Sequence, residues 1–343
     1  MKKLLNTLFV TTEGAYLHKE RETVVVKVDR KKVLQLPMIS LSNIFCFGRV
    51  NLSPQFMANC AEKGVGVAFF NEYGRFHVRM QGPQTGNVLL RRKQYRWADD
   101  EHKSADIARF IVAAKVVNSR TVLQRSLRNN SQCHGNGSLT KAVNDIKRTL
   151  KQLEDKQELD MIRGREGEAA NSYFSVFNHL IVKQKDDFVF TGRNRRPPKD
   201  TVNALLSFIY AVILQDCVSA LEGVGLDPYV GFLHRDRPGR HSLALDILEE
   251  FRAFIGDRLA LSLVNLQQVK KNDFQFTESG AVLLGDKIKK TLLTAYQKRK
   301  QEELSHPVLK EKVQIGLLFH TQALLLARYI RGDIDYYPAF VWR

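Results

Sequence analysis

The stretch Gly231–Phe254 holds one histidine, a cationic loop and an acidic helical stripe in succession. His234 follows the apolar step Phe232-Leu233, and the loop Arg235 to His241 carries Arg235, Arg237, Arg240 and His241 around Pro238-Gly239. Ser242 is predicted to cap the helix that follows, because its hydroxyl can accept a backbone N–H of the first turn. Leu243, Ile247, Leu248, Phe251, Phe254 and Ile255 then recur at helical spacing. Asp246, Glu249 and Glu250 stand at i, i+3 and i+4 and share a stripe beside that seam. A histidine and a carboxylate stripe joined by a cationic loop can hold a divalent metal next to a polyanion. The same residues also fit a packed histidine and a solvated helix flank, and this stretch alone leaves both readings open.

A second carboxylate narrows the choice. Ile162, Glu166, Ala169, Ala170, Tyr173, Phe174 and Phe177 follow one helical face, so Glu166 falls on a seam that should be buried. A carboxylate there is costly unless it is paired or bound to a metal. Arg163 is one candidate partner, and a metal is the other. Gly164 and Gly167 flank Glu166 and would let a backbone or a ligand approach, while Glu168 points elsewhere, toward solvent.

These residues need elements to position them. Arg193-Asn-Arg-Arg-Pro-Pro-Lys-Asp200 reads as a basic, proline-stiffened loop, with Arg193, Arg195 and Arg196 as candidate phosphate contacts. It leads into Thr201–Ser219, apolar on nearly every face and therefore a central core helix. Helices are also expected over Leu89–Trp97, Ala105–Leu127, Thr140–Gln157, Leu259–Val269, Asp286–Leu304 and Leu309–Arg331, with a polar loop over Asn129–Ser138. The Asp286–Leu304 helix carries Lys287, Lys289, Lys290, Lys298, Arg299 and Lys300, and Lys287 and Lys290 join the candidate DNA contacts. The aromatic tail from Asp333 is expected to pack down. Before all this, residues 1 to about 80 read as short strands at the spacing of an antiparallel sheet, with one helix started by Ser53-Pro54. Gly and Pro in Gln81–Gly86 interrupt both periodicities and mark the boundary. The expectation from pattern is an α+β chain: a β-rich domain with one helix over 1–82, a linker over 83–92 and a larger helical domain over 93–343.

The totals agree. A chain of 343 residues exceeds what one core usually organises. Its 53 Lys and Arg against 36 Asp and Glu give a net charge of +17 and a pI near 9.7. Such an excess favours a polyanionic partner, nucleic acid before an acidic membrane surface. No uninterrupted apolar run is long enough to span a membrane, and the N-terminus lacks the apolar core and cleavage site of a signal peptide. Cys46, Cys60, Cys133 and Cys217 show no paired metal spacing and fit reduced, buried residues of a cytoplasmic protein.

Four segments in this order resemble the CRISPR-associated integrases, the first Cas proteins of spacer acquisition. They are Arg163–Tyr173, Arg196–Ser207, Gly225–His234 and Ser242–Arg252. Leu36–Ser42, Phe47–Arg49 and Tyr329–Asp333 look like the subgroup found in type I-C systems. The resemblance covers nearly the whole chain and implies that the β-rich domain is β-sandwich-like and that the helical domain is an all-α catalytic domain. It implies Glu166, His234 and Glu249 as ligands of Mg²⁺ or Mn²⁺, with Asp246 supporting the site. The family often has aspartate where Glu249 stands. It further implies double-stranded DNA as substrate, attacked by a DNA 3′-hydroxyl at the CRISPR repeat. The assembly it implies is a homodimer, two of which are bridged by the second Cas protein into a heterohexamer. A stand-alone metal-dependent nuclease and a non-catalytic DNA-binding scaffold are the alternatives.

Overall fold

The computed structural model describes residues 6–71, 76–80, 88–129 and 136–342. The Gln81–Gly86 boundary, Cys133 and most of the polar loop expected after Asn129 lie outside them. The chain divides into two compact units. The first comprises residues 1–86, Leu284–Glu302 and Gln314–Leu317, and the second comprises the rest.

The first unit contains β1 (Asn6–Val10), β2 (Tyr16–Glu20), β3 (Thr23–Val28), β4 (Lys31–Pro37), β5 (Leu41–Phe47), β6 (Asn51–Leu52), α1 (Pro54–Glu62), β7 (Gly66–Phe70) and β8 (Phe76–Met80). Two four-stranded sheets form, ordered β1-β5-β7-β8 and β4-β3-β2-β6. Val10, Ile44, Cys46 and Val67 of one sheet and Leu17, Val24 and Val26 of the other meet in a single apolar core, with Phe56 and Cys60 of α1. Each large apolar side chain fully buried there contributes roughly 1.5–3 kcal/mol. The antiparallel expectation needs correction. β2, β3 and β4 form an antiparallel meander, but β5 runs parallel to both β1 and β7, and β6 runs parallel to β2. Parallel pairing follows from the connections: the meander separates β1 from β5, and α1 crosses over before β7. Ser53 caps α1 by accepting from the Phe56 N–H at 3.2 Å, and Pro54 occupies the first turn. Burial raises the Cys46 and Cys60 thiols to about 12, so both behave as small apolar side chains.

The second unit is mainly helical. Its elements are α2 (Val88–Asp99), α3 (Glu101–Asn129), α4 (Asn136–Gln152), α5 (Leu159–Ser175), α6 (Thr201–Val224), α7 (Ser242–Phe251) and α8 (Arg258–Asn265), then the short strands β9 (Phe274–Phe276) and β10 (Val282–Leu284). After α9 (Asp286–Gln301), which belongs to the first unit, come β11 (Glu303–Ser305), β12 (Lys312–Gln314) and α10 (Ile315–Arg331). The long helix α3 packs on α4, α5 and α7, so one helix touches both carboxylate-bearing helices. α6 is the one described helix long and apolar enough to cross a membrane, and it is buried along most of its length as a core helix. α7 continues into a π-helical turn, Arg252–Asp257, where a single regular helix is expected from the apolar spacing. Gly256 in that turn lies so close to α6 that an added Cβ would come within 2.7 Å of the Tyr210 ring. α8 stops at Asn265, short of the expected Val269, and α9 and α10 also end or begin inside their expected ranges.

Candidate metal centre

His234 sits in a loop that α7 holds from inside. The Asp246 carboxylate is fully buried and accepts the backbone N–H groups of Phe232 at 2.7 Å, Leu233 at 3.0 Å and His234 at 3.0 Å. It also lies 2.6 Å from His234 Nδ1. A carboxylate in that position takes the Nδ1–H and leaves Nε2 with a free lone pair. Nε2 faces Glu249 Oε1 at 3.9 Å. The loop passes so close to α7 that a Cβ on Gly231 would fall 2.8 Å from the Ser242 carbonyl carbon and 2.9 Å from Asp246 Oδ2. Any larger residue at 231 would push the loop away from its anchor.

The predicted Ser242 cap is not what starts α7. The cap position belongs to His241, whose side chain makes no capping hydrogen bond, and Ser242 is already helical and buried. Its Oγ donates to the Arg235 carbonyl at 3.2 Å, so it closes the cationic loop. The Pro228 carbonyl satisfies the first turn, accepting from the Leu243 and Ala244 N–H groups at 3.0 and 3.3 Å. The acidic stripe is no wet face either. Asp246, Glu249 and Glu250 are all buried.

Glu249 faces a cationic neighbourhood. Its Oε1 is 3.0 Å from Arg252 Nη2, and its Oε2 is 2.7 Å from Lys115 Nζ of α3. The same ammonium group donates to Glu166 Oε1 of α5. Glu166 is partly buried, as its place on the seam requires, but its partner is Lys115 and not Arg163. Arg163 donates instead to the Leu233 carbonyl at 2.8 Å and to Asp160 at 2.7 Å, tying α5 to the His234 loop. Among the described residues, nothing beyond the neighbouring turns of α5 itself lies within 4 Å of where a Cβ on Gly164 or Gly167 would stand, so those glycines leave open space on the helix that carries Glu166. Burial alone would raise the Glu249 carboxyl. The Arg252 guanidinium foremost, then the Lys115 ammonium, reverse that and hold it well below the ordinary carboxylate range.

Three segments distant in sequence thus meet: Glu249 lies beside His234 directly and is joined to Glu166 through Lys115. Among the described residues, no three His, Cys, Asp or Glu side chains stand as a ready metal cage. The donor set nevertheless suits a hard divalent cation: two carboxylates, and one imidazole whose far nitrogen is already held. Glu249 Oε2 is buried and faces the Lys115 ammonium at 2.7 Å. Neither Lys115 nor Arg252 is given a role in the sequence reading. Each had a signal, because Lys115 falls on the buried seam of α3 between Ile111 and Val122, and Arg252 lies on the seam of α7 between Leu248 and Ile255.

The two basic loops come within electrostatic reach of each other. Arg240 is held below its ordinary value first by burial, then by repulsion from Arg237, Arg196 and Arg195, with Asp246 opposing. Among the described residues, none of these four arginines is held in an ion pair. Like charges gathered outside ion pairs form a surface suited to a polyanion. Arg193 and Arg235 are placed differently. Arg193 turns inward, donating to the Asn194 carbonyl at 2.7 Å and Asn203 Oδ1 at 2.6 Å, while Arg235 pairs with exposed Asp160 at 3.1 Å. On α9, Lys287 and Lys290 are exposed, but Lys289 and Lys300 are buried, so that helix is not a uniform cationic face.

A family model described as CRISPR associated protein Cas1 matches residues 8–298. The chain is similar to CRISPR-associated endonuclease Cas1 1 of Chlorobaculum tepidum, with 53% identity over 343 residues and all of both chains covered. Among solved structures it is similar to a Cas1 protein from Thermotoga maritima, with TM-score 0.81, 24% identity and 96% of this chain and 97% of that one covered. It is also similar to a casposase bound to integration product, with TM-score 0.84, 21% identity and 99% and 95% covered. At those identities the structural likeness speaks for the fold. The family model spans most of the sequence and a relative more than half identical spans all of it, so the chain belongs to the CRISPR-associated endonuclease Cas1 family.

Proposed function

We propose that the chain is a metal-dependent DNA integrase that inserts short foreign DNA fragments into a CRISPR array, by attack of a DNA 3′-hydroxyl on a repeat phosphodiester. The observation that supports this reading is that Glu249 lies beside His234 and is joined to Glu166 through Lys115, with Asp246 fixing the His234 ring. These three side chains would ligate Mg²⁺ or Mn²⁺. When bound, such an ion polarises a phosphate and stabilises charge on its oxygens during in-line displacement. The protein's own residues do the rest. Asp246 holds the imidazole so that Nε2 is the nitrogen presented, Arg252 keeps Glu249 ionised despite burial, and the hydroxyl of the incoming DNA makes a side-chain nucleophile unnecessary. Arg195, Arg196, Arg237 and Arg240 would hold phosphate, with Arg193 and Arg235 supporting the two loops. Lys287 and Lys290 are further proposed DNA contacts.

The resemblance extends the proposal to partners and context. The β-rich N-terminal region would pair with its copy in a homodimer, to which the exposed Ile39 and the edge strand β4 lend surface. Two dimers bridged by the second Cas protein would make a heterohexamer acting in the cytoplasm, within a type I-C system. The deciding assay combines a labelled short duplex with a repeat-containing plasmid and scores joined products against free fragments. Metal-dependent joining that disappears in Glu166→Ala, His234→Ala and Glu249→Ala is the expected outcome. Fragments without joined product would make the chain a nuclease. Light scattering that shows a monomer at micromolar concentration would count against the dimer.

A further inference from the structure

Lysine normally extends its flexible stem to keep the ammonium in water. Lys115 does the opposite: its side chain is 13% exposed and its ammonium lies between Glu166 and Glu249. Its backbone is fixed. Asn118, one turn further along α3, donates to the Glu250 carbonyl at 2.8 Å and the Phe340 carbonyl at 2.9 Å, and accepts from the Trp342 N–H at 2.7 Å. α3 is therefore tied at this point to α7 and to the C-terminal tail, and only the Lys115 side chain is free to move.

The charges decide what that placement means. Asp246 is taken up by three backbone N–H groups and the His234 ring, and Glu249 Oε1 by Arg252. The oxygens that remain for a metal bridging the two helices are Glu249 Oε2 and those of Glu166, and Lys115 stands on both residues. A divalent ion added beside that ammonium, with Arg252 behind it, would gather four positive charges against two carboxylates in a partly buried site. The ammonium and the metal would repel at close range and compete for the same oxygens.

We propose that Lys115 is a resident counter-ion that holds the place between Glu166 and Glu249, and that a divalent metal binds by displacing it toward solvent. The inference rests on the ligand set proposed above. Metal affinity is then the difference between two cations' affinities for the same carboxylates, and Lys115 stabilises the fold whenever no metal is present.

The test uses the full chain, with Mn²⁺ binding followed by paramagnetic resonance of the free ion and thermal melts run with and without Mn²⁺. Lys115→Met should melt lower than wild type without metal, bind Mn²⁺ at least about tenfold more tightly, and gain more in Tm at saturation. Lys115→Arg should stay near wild type in affinity. If Glu249→Ala loses the Mn²⁺ site but Lys115→Met binds as wild type does, the counter-ion role is overturned and the ligand set stands. If Glu249→Ala still binds as wild type does, the ligand set fails and the counter-ion role falls with it. A second measurement needs no variant: acylation of Lys115 by an amine-reactive reagent, mapped by peptide mass spectrometry. It should rise several-fold when Mg²⁺ is added. Unchanged acylation at a Mg²⁺ concentration that raises Tm overturns displacement.

Discussion

Glu249 and Glu250 are neighbours on α7, both buried, yet their surroundings have opposite chemistry. Successive helical residues point about 100° apart, so the two carboxylates look into different regions. Glu249 looks toward Lys115, Arg252 and His234. Glu250 looks toward the C-terminal tail, accepting from the Tyr337 hydroxyl at 2.5 Å, the Phe340 N–H at 2.6 Å and Gln322 Nε2 at 2.9 Å. Burial raises the Glu250 carboxyl to about 7, because its partners are neutral donors that only partly oppose desolvation. Charged partners reverse the same effect at Glu249. Asp257 lies between the two: Tyr173 donates to it at 2.9 Å, Tyr210 also donates, Arg252 and Arg193 oppose less strongly, and burial still raises it to about 6. A buried acid surrounded by cations stays ionised and available to a metal, whereas one surrounded by hydroxyls and amides is a structural clamp.

That contrast breaks most sharply on the Glu249 side. Alanine at Glu249, Glu166 or His234 should reduce DNA joining by about 10²-fold or more, because each removes a proposed ligand. The circular-dichroism melt should stay cooperative. Loss of folding in all three variants would make the cluster structural and erase the difference from Glu250.

Asp246→Asn is expected to be next in size. The buried amide can no longer accept every N–H that the carboxylate accepts, and the preference for a proton on His234 Nδ1 is lost. Joining should fall roughly 10- to 100-fold, with metal affinity falling alongside. Unchanged Mn²⁺ affinity would show that Asp246 serves the loop alone.

Glu250→Gln tests the other neighbourhood through pH. The folded carboxyl at about 7 lies above its unfolded value of 4.5, so the folded state favours the proton. Its contribution is fully present below pH 4.5 and is lost as pH rises through about 7. The slope is at most about 1.4 kcal/mol per pH unit. Urea unfolding between pH 5 and 8 should show wild type losing stability relative to Glu250→Gln as pH rises. Asp257 slopes the same way in both proteins and cancels in the difference. Parallel curves would mean that Glu250 is ionised in the fold, as Glu249 is.

The smallest effects belong to the surface arginines. If Arg195, Arg196, Arg237 or Arg240 contacts phosphate, its replacement by Gln should flatten log K against log salt by about one unit. Glu249→Ala should leave that slope unchanged. An Arg237→Gln/Arg240→Gln pair with wild-type affinity and slope would remove that loop from the DNA path.

Much of this site is legible in the residues. Glu166 on an apolar seam required a partner, and His234 ahead of an acidic helix suggested a metal. The strands of the first unit and the unbroken core helix α6 follow from period and composition, which are local properties. Lys115 and Ser242 show the limit. A lysine on the α3 seam has no meaning until α5 and α7 pack against it, and Ser242 fits the pattern of a cap while the Pro228 carbonyl takes that role from outside the helix.

The sequence by itself determined the family, the mixed fold class and the residue types able to do chemistry, because those are carried by local pattern and by motifs in a fixed order. Only the tertiary structure decided which acid is ionised. Glu249 and Glu250 are the same residue type on the same helix, and of the groups that set their charge only Arg252, beside Glu249, is near in sequence. Their partners come from α3, from the π turn and from the C-terminal tail. Electrostatics in a buried site depends on distance in space and on the loss of water, and the linear order of the chain records neither.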